Sequence, residues 1–125
     1  MVIHGQRWRY RVGNADVCVD NAFSWWGWAQ ERWVINGEEV RSIGAWFTFR
    51  RKFDEPWLTP LGDGVLAADL RSAAHGVACE VRLDGELLAP EALYETSWSG
   101  RGAWPDEAAW VEVERHTIFA KFGGG

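Results

Sequence analysis

Asn36-Gly37 and Asp84-Gly85 constrain this chain more than any other feature. Each dipeptide sits between apolar runs: Trp33-Val34-Ile35 leads into the first and Val40 follows it, while Val81-Arg82-Leu83 leads into the second and Leu87-Leu88 follows. A type I′ turn needs positive φ at both central residues, which Asn or Asp followed by Gly tolerates, and its twist matches that of two paired strands. Two tight antiparallel hairpins are therefore expected, an arrangement that needs no crossover helices.

Period-two alternation recurs along the rest of the chain, and helical spacing is nearly absent. Trp8, Tyr10 and Val12 share one face of a first strand, and Val17-Cys18-Val19 forms a second that Asp20-Asn21 closes. Residues 31–35 and 38–43 flank the first turn. Residues 45–53 alternate Phe47, Phe49 and Phe53 against Trp46, Thr48, Arg50 and Lys52. Asp54 to Gly64 holds prolines, glycines and aspartates and reads as a loop. Beyond it, Leu66, Ala68 and Leu70 run in phase, as do Val77, Cys79, Val81 and Leu83, with a hairpin connection at Ala73-Ala74-His75-Gly76. Strand grammar continues over Leu87-Leu88 and 92–96. Pro105 followed by Asp106 and Glu107 suits one helical turn, since proline and acids favour a helix start; residues 110–114 and 117–122 then alternate again. The expected fold is all-β: a single-domain antiparallel β-sandwich, or partly open barrel, of about eight strands with at most a short helical turn near 105–110. The domain spans 1–122, and Gly123-Gly124-Gly125 reads as a flexible tail.

Composition narrows the function classes. At 125 residues the chain can bury one core. A net charge of −5 and a pI near 5.1 lack the basic field that drives nucleic-acid binding, and Arg50-Arg51-Lys52 is a solvated strand end rather than a patch. No apolar run approaches the roughly 20 residues of a membrane span, and Met1 to Arg7 lack the pattern of a secretory signal; a cytoplasmic protein without membrane contact is expected. Cys18 and Cys79 form no Cys-x-x-Cys pair and read as buried free thiols, Cys79 on the inward face of its strand. His4, His75 and His116 lack metal-site spacing, so neither a metal nor another cofactor is expected. Asp20, Glu31, Asp69 and Glu80 read as carboxylates on the solvent faces of strands rather than as a pair for glycoside hydrolysis. No serine lies in a nucleophile elbow, and the Gly-rich loop Ser99 to Ala103 lacks phosphate-loop spacing. An enzyme is not expected.

From Val34 to Leu88 the chain resembles the repeat of the Fas apoptotic inhibitory molecule family. The resemblance rests on Ile35-Asn36-Gly37-Glu38, on Trp46-Phe47-Thr48-Phe49, on Ala68-Asp69-Leu70-Arg71-Ser72 with Gly76, and on Glu80-Val81-Arg82-Leu83-Asp84-Gly85-Glu86-Leu87. It covers under half of the chain and carries no catalytic residues. It implies an all-β sandwich with non-enzymatic roles, namely regulation of cell death and protection of other proteins from aggregation.

Ten tryptophans are more than so small a domain can hide, because each buries on the order of 200 Å² and carries an indole N–H that needs a partner. The densest group runs from Trp25 through Trp33. Its functional reading is an exposed platform of Trp25, Trp26 and Trp28, with Trp46 on the outer face of its strand. Arg32 is the companion that stacks on an indole or pairs with an acid. Such a surface suits a protein partner or self-association; stacking of carbohydrate is the alternative. A further alternative is purely structural, the indoles plugging the end of the sandwich and covering its rim. Trp98 and Trp104 flank the glycine-rich loop, which is either a plain connection or a mobile element with aromatic anchors.

Overall fold

A computed structural model describes residues 2–24, 27–46, 57–73, 76–100 and 102–117, with the backbone alone at 45, 46, 71–73, 76 and 77. The described strands are β1 (Val2–Val12), β2 (Ala15–Phe23), β3 (Trp28–Ile35), β4 (Glu38–Trp46), β5 (Trp57–Leu61), β6 (Gly64–Ala73), β7 (Gly76–Leu83), β8 (Glu86–Leu88), β9 (Ala92–Ser99) and β10 (Val111–Val113). They form two antiparallel sheets, one of six strands in the order β10-β9-β1-β2-β3-β4 and one of four in the order β5-β6-β7-β8. Among the described residues a single 3-10 turn, Glu107–Ala109, interrupts the β structure where a short helical turn was expected. No described helix is long and apolar enough to cross a membrane.

Both signature hairpins form. Asn36 and Gly37 take φ of 51° and 79°, and Asp84 and Gly85 take 49° and 86°, the positive angles that a type I′ turn demands. β6 and β7 pair antiparallel up to Ala73 opposite Gly76; the two residues that connect them, Ala74 and His75, lie outside the described residues.

The sheets meet face to face. Trp8, Tyr10, Val17, Val19 and Trp33 of the larger sheet pack on Trp57, Leu66, Ala68 and Val81 of the smaller. Trp33 and Trp57 stack across the interface with ring centroids 6.4 Å apart, and the Arg41 guanidinium lies over the Trp57 ring at 4.7 Å. Both cysteines are free thiols. Cys79 packs against this core and accepts the Tyr10 hydroxyl at 3.6 Å, and burial pushes its pKa up to about 12. Further along the same inner face Gln6, Asn21 and Glu31 stand side by side across β1, β2 and β3, all buried.

Three expectations are corrected. The first strand begins at Val2 rather than Trp8, because the polar run His4 to Arg7 belongs to a strand covered on both faces. Asp20-Asn21 does not end β2, which runs on to Phe23; both residues are buried and engage neighbours across the sheet. The loop expected over Asp54 to Gly64 contains β5. Pro60 is admissible there because β5 is an edge strand among the described strands, where a missing N–H on the outer side breaks no described ladder. Of the strand expected over 45–53, residues 45 and 46 close β4 and the remainder lies outside the described residues. So do Arg50-Arg51-Lys52, His75, most of the strand expected over 117–122 and the glycine tail.

Candidate functional site

Strand alternation gives the six-stranded sheet a second face of opposite character. Where Trp8 and Tyr10 of β1 point to the core, Arg7 and Arg9 point outward. The pairing sets Arg7 opposite Asp20 and Asp20 opposite Arg32, a row of alternating charge across β1, β2 and β3. Arg7 grips Asp20 with two parallel bonds, Nε to Oδ1 at 2.7 Å and Nη2 to Oδ2 at 2.9 Å; Arg32 Nε adds a third to Oδ2 at 2.8 Å. Asp20 is 0% exposed, so these charge-assisted bonds replace its hydration. Burial works against the charge on Arg7, but its bonds to Asp20 and Glu107 outweigh that and raise its pKa.

The chain between β9 and β10 folds back over this row. Gly102 N–H donates to Gln30 Oε1 at 2.9 Å, and Gln30 Nε2 donates to the Ala103 carbonyl at 2.7 Å, so one side chain of β3 clamps the returning loop. The same Oε1 accepts the Trp28 indole N–H at 2.7 Å. Arg32 lies over the Trp104 ring at 4.6 Å, Trp98 leans on Trp104 with centroids 5.6 Å apart, and Arg7 lies over Trp110 at 4.4 Å. Small residues make room for the rings. A Cβ added to Gly5 would meet Trp98 at 2.9 Å, and one added to Gly44 would meet Trp28 at 2.6 Å. Glu107, on the 3-10 turn, then closes on Arg7.

Beside the row lies a pocket of about 260 Å³, lined by Arg7, Arg9, Asp16, Cys18, Tyr94, Glu107 and Trp110. Arg9 is fixed there by Asp16 at 2.7 Å and by the Tyr94 hydroxyl at 3.3 Å. Burial raises the Cys18 thiol to about 12, which leaves it protonated and a poor nucleophile at neutral pH. Glu107 is held below its ordinary pKa by the hydrogen bonds from Arg7. On the inner side, His116 stands edge-on to Trp8 and its Nε2 lies 3.1 Å from the carbonyls of both Arg7 and Tyr94; burial lowers its pKa.

Among the described indoles, Trp8, Trp33, Trp57 and Trp110 are buried, whereas Trp28, Trp98 and Trp104 are half-buried and gather on the outer face. Of the residues expected from the sequence, Trp28 and Arg32 belong to this group. Arg32 both stacks on an indole and pairs with an acid, but with Trp104 and Asp20 of its own chain. Trp46 lies opposite Trp28 in the backbone register of β3 and β4, and Trp25 and Trp26 lie outside the described residues. Of the carboxylates expected on solvent faces, Asp20 and Glu31 are instead buried, Asp20 on the outer face between arginines and Glu31 on the inner face beside Asn21, while Asp69 opposes Glu80 in the second sheet. Arg7, Asp20, Gln30 and Glu107 escape a local reading, because Arg7, Asp20 and Gln30 are placed by strand register and Glu107 reaches them from the returning chain between β9 and β10. The available signal is the alternation of Arg7, Arg9 and Arg11 against Asp16 and Asp20 about the Gly13-Asn14 turn.

Compared with known proteins, no family model matches this chain, and neither the curated proteins nor the solved structures yield a match.

Proposed function

We propose that this chain is a non-enzymatic binding module that docks a protein partner on the outer face of its six-stranded sheet, through Trp28, Trp98 and Trp104. The observation that supports it is that these indoles stay half-exposed while being held in place. Gln30 bonds the Trp28 N–H and the loop, Arg32 lies on Trp104, and Trp98 seats against Gly5 and Trp104. Aromatic side chains immobilised before contact lose little entropy on binding, which is why tryptophan dominates interface hot spots. A protein partner is favoured over a sugar because Arg32 covers one face of Trp104 and Trp98 tilts at 35° against it, so this pair offers no flat double platform for stacking. The two free thiols suit a reducing, cytoplasmic setting. The resemblance of residues 34–88 to the Fas apoptotic inhibitory molecule repeat fits the same class of role, contact with other proteins without chemistry.

The test is capture by immobilised wild type beside Trp28→Ala and Trp98→Ala, with partners identified by mass spectrometry and a glycan array run in parallel. Loss of at least about 2 kcal/mol of binding in both variants, with urea midpoints little changed and no glycan response, supports the reading. Undiminished capture by both variants overturns it, and a glycan response that both variants lose moves the partner class to carbohydrate.

A further inference from the structure

Arg7 holds two carboxylates in very different ways. Asp20 is fully buried and gripped by both Arg7 and Arg32. Glu107 meets the same Arg7 guanidinium at two points, 2.6 Å from Nη1 and 3.2 Å from Nη2, and lies 3.8 Å from Arg32 Nη2, yet its side chain is 74% exposed. The turn that carries Glu107 buries none of its residues and has no side-chain cap. One carboxylate is part of the fold; the other is a surface group reaching inward, and its place on the guanidinium fork is one that an external carboxylate can take.

The neighbouring pocket supplies a second attachment point. Arg9 follows Arg7 on the same side of β1, with the two Cβ atoms roughly 7 Å apart along the strand, and both line the pocket. Arg9 uses Nε on Asp16 and Nη1 on the Tyr94 hydroxyl, while its Nη2 has no partner among the described residues. Within the lining, Arg7 and Arg9 balance Asp16 and Glu107, so withdrawal of Glu107 leaves positive charge in excess. Two guanidiniums at this spacing, one with unspent donors and one with an exchangeable partner, suit two carboxylates a few bonds apart.

We propose that this pocket is a dicarboxylate-binding site, bridging Arg7 and Arg9, in which Glu107 is the internal occupant that the ligand displaces. The carboxylates come from a free short-chain diacid or from acidic side chains two residues apart on an extended peptide, which have the same spacing. The site is separate from the aromatic surface, since Trp28, Trp98 and Trp104 do not line it.

The experiment titrates glutarate, and in a second arm a short Glu-x-Glu peptide, into wild type, Glu107→Gln and Arg9→Gln, following the arginine Nε–H resonances by NMR. Arg7 itself is left intact because its loss would strand Asp20. Saturable shifts at Arg7 and Arg9 are expected, with Glu107→Gln binding about five-fold tighter or more and Arg9→Gln about ten-fold weaker. Response to glutarate identifies a free diacid as sufficient; response to the peptide alone identifies a polypeptide source. No saturable response to either probe in Glu107→Gln, or equal affinity in all three proteins, overturns the proposal.

Discussion

The two faces of the six-stranded sheet share one backbone and obey different physics. The inner face is held by area: Trp33 alone removes on the order of 200 Å² from water, a gross gain of about 5 kcal/mol, and its neighbours interlock with the second sheet. The outer face is held by complementarity, with Asp20 between two arginines, indoles under guanidiniums and one glutamine clamping the returning loop. Non-directional burial tolerates little exposure, whereas directional bonds can fix a ring and still leave it half in water. The buried indoles Trp8, Trp33 and Trp57 accordingly collect on the inner side, whereas the outer side carries the half-buried Trp28, Trp98 and Trp104 together with one buried indole, Trp110, which lies under Arg7.

The contrast can be broken by mutation. Trp33→Ala should cost about 4 kcal/mol through the cavity it leaves between the sheets; a urea midpoint shifted by less than a quarter of that would deny the inner face its role. Asp20→Ala should cost about 3 kcal/mol, because two guanidiniums lose the carboxylate they share in a buried site. Equal stability of this variant and wild type in urea would mean that the outer row is incidental. Gly5→Ala should cost roughly 1–3 kcal/mol by forcing Trp98 and Trp110 aside, and thermal melts would show it.

Acid sharpens the comparison. His116 is lowered from its ordinary 6.5 by burial, so the unfolded chain takes up a proton first. Its contribution is intact above pH 6.5 and declines as pH falls through the lowered native value. His4, also lowered by burial, adds to the same window. His116→Gln should therefore flatten, without abolishing, the slope of melting temperature between neutral and mildly acid pH. The Glu107 contribution, from a pKa lowered beneath 4.5 by Arg7, persists above that value and disappears as pH falls below it. Glu107→Gln is the smallest expected effect, about 1 kcal/mol or less, because the group is largely exposed. A loss as large as that of Asp20→Ala would erase the distinction between the two carboxylates of Arg7.

Hairpins and strand alternation were legible because they depend on local chemistry. Asn36-Gly37 and Asp84-Gly85 announce their turns, and Trp8-Tyr10-Val12 announces an inner face. Polar strand segments were not legible in the same way: His4 to Arg7 and Asp20-Asn21 resemble strand ends until the register supplies their partners. Pro60 reads as a loop residue unless its strand is known to lie at an edge. For the site, the tryptophan excess and the dual behaviour of Arg32 could be read locally, but Trp98 reaches this face through the pairing of β9 with β1, and Trp104 through a loop that Gln30 binds some seventy positions away along the chain. Long-range register, invisible to periodicity, assembles the surface.

The most direct test of the division between the faces is fluorine NMR of protein labelled with 5-fluorotryptophan, each signal assigned by a Trp→Phe variant and its shift compared in light and heavy water. Trp28, Trp98 and Trp104 should show the solvent isotope shift of half-exposed rings, and Trp8, Trp33 and Trp57 should show none. Insensitivity of Trp98 and Trp104, or sensitivity of Trp33, would contradict the account.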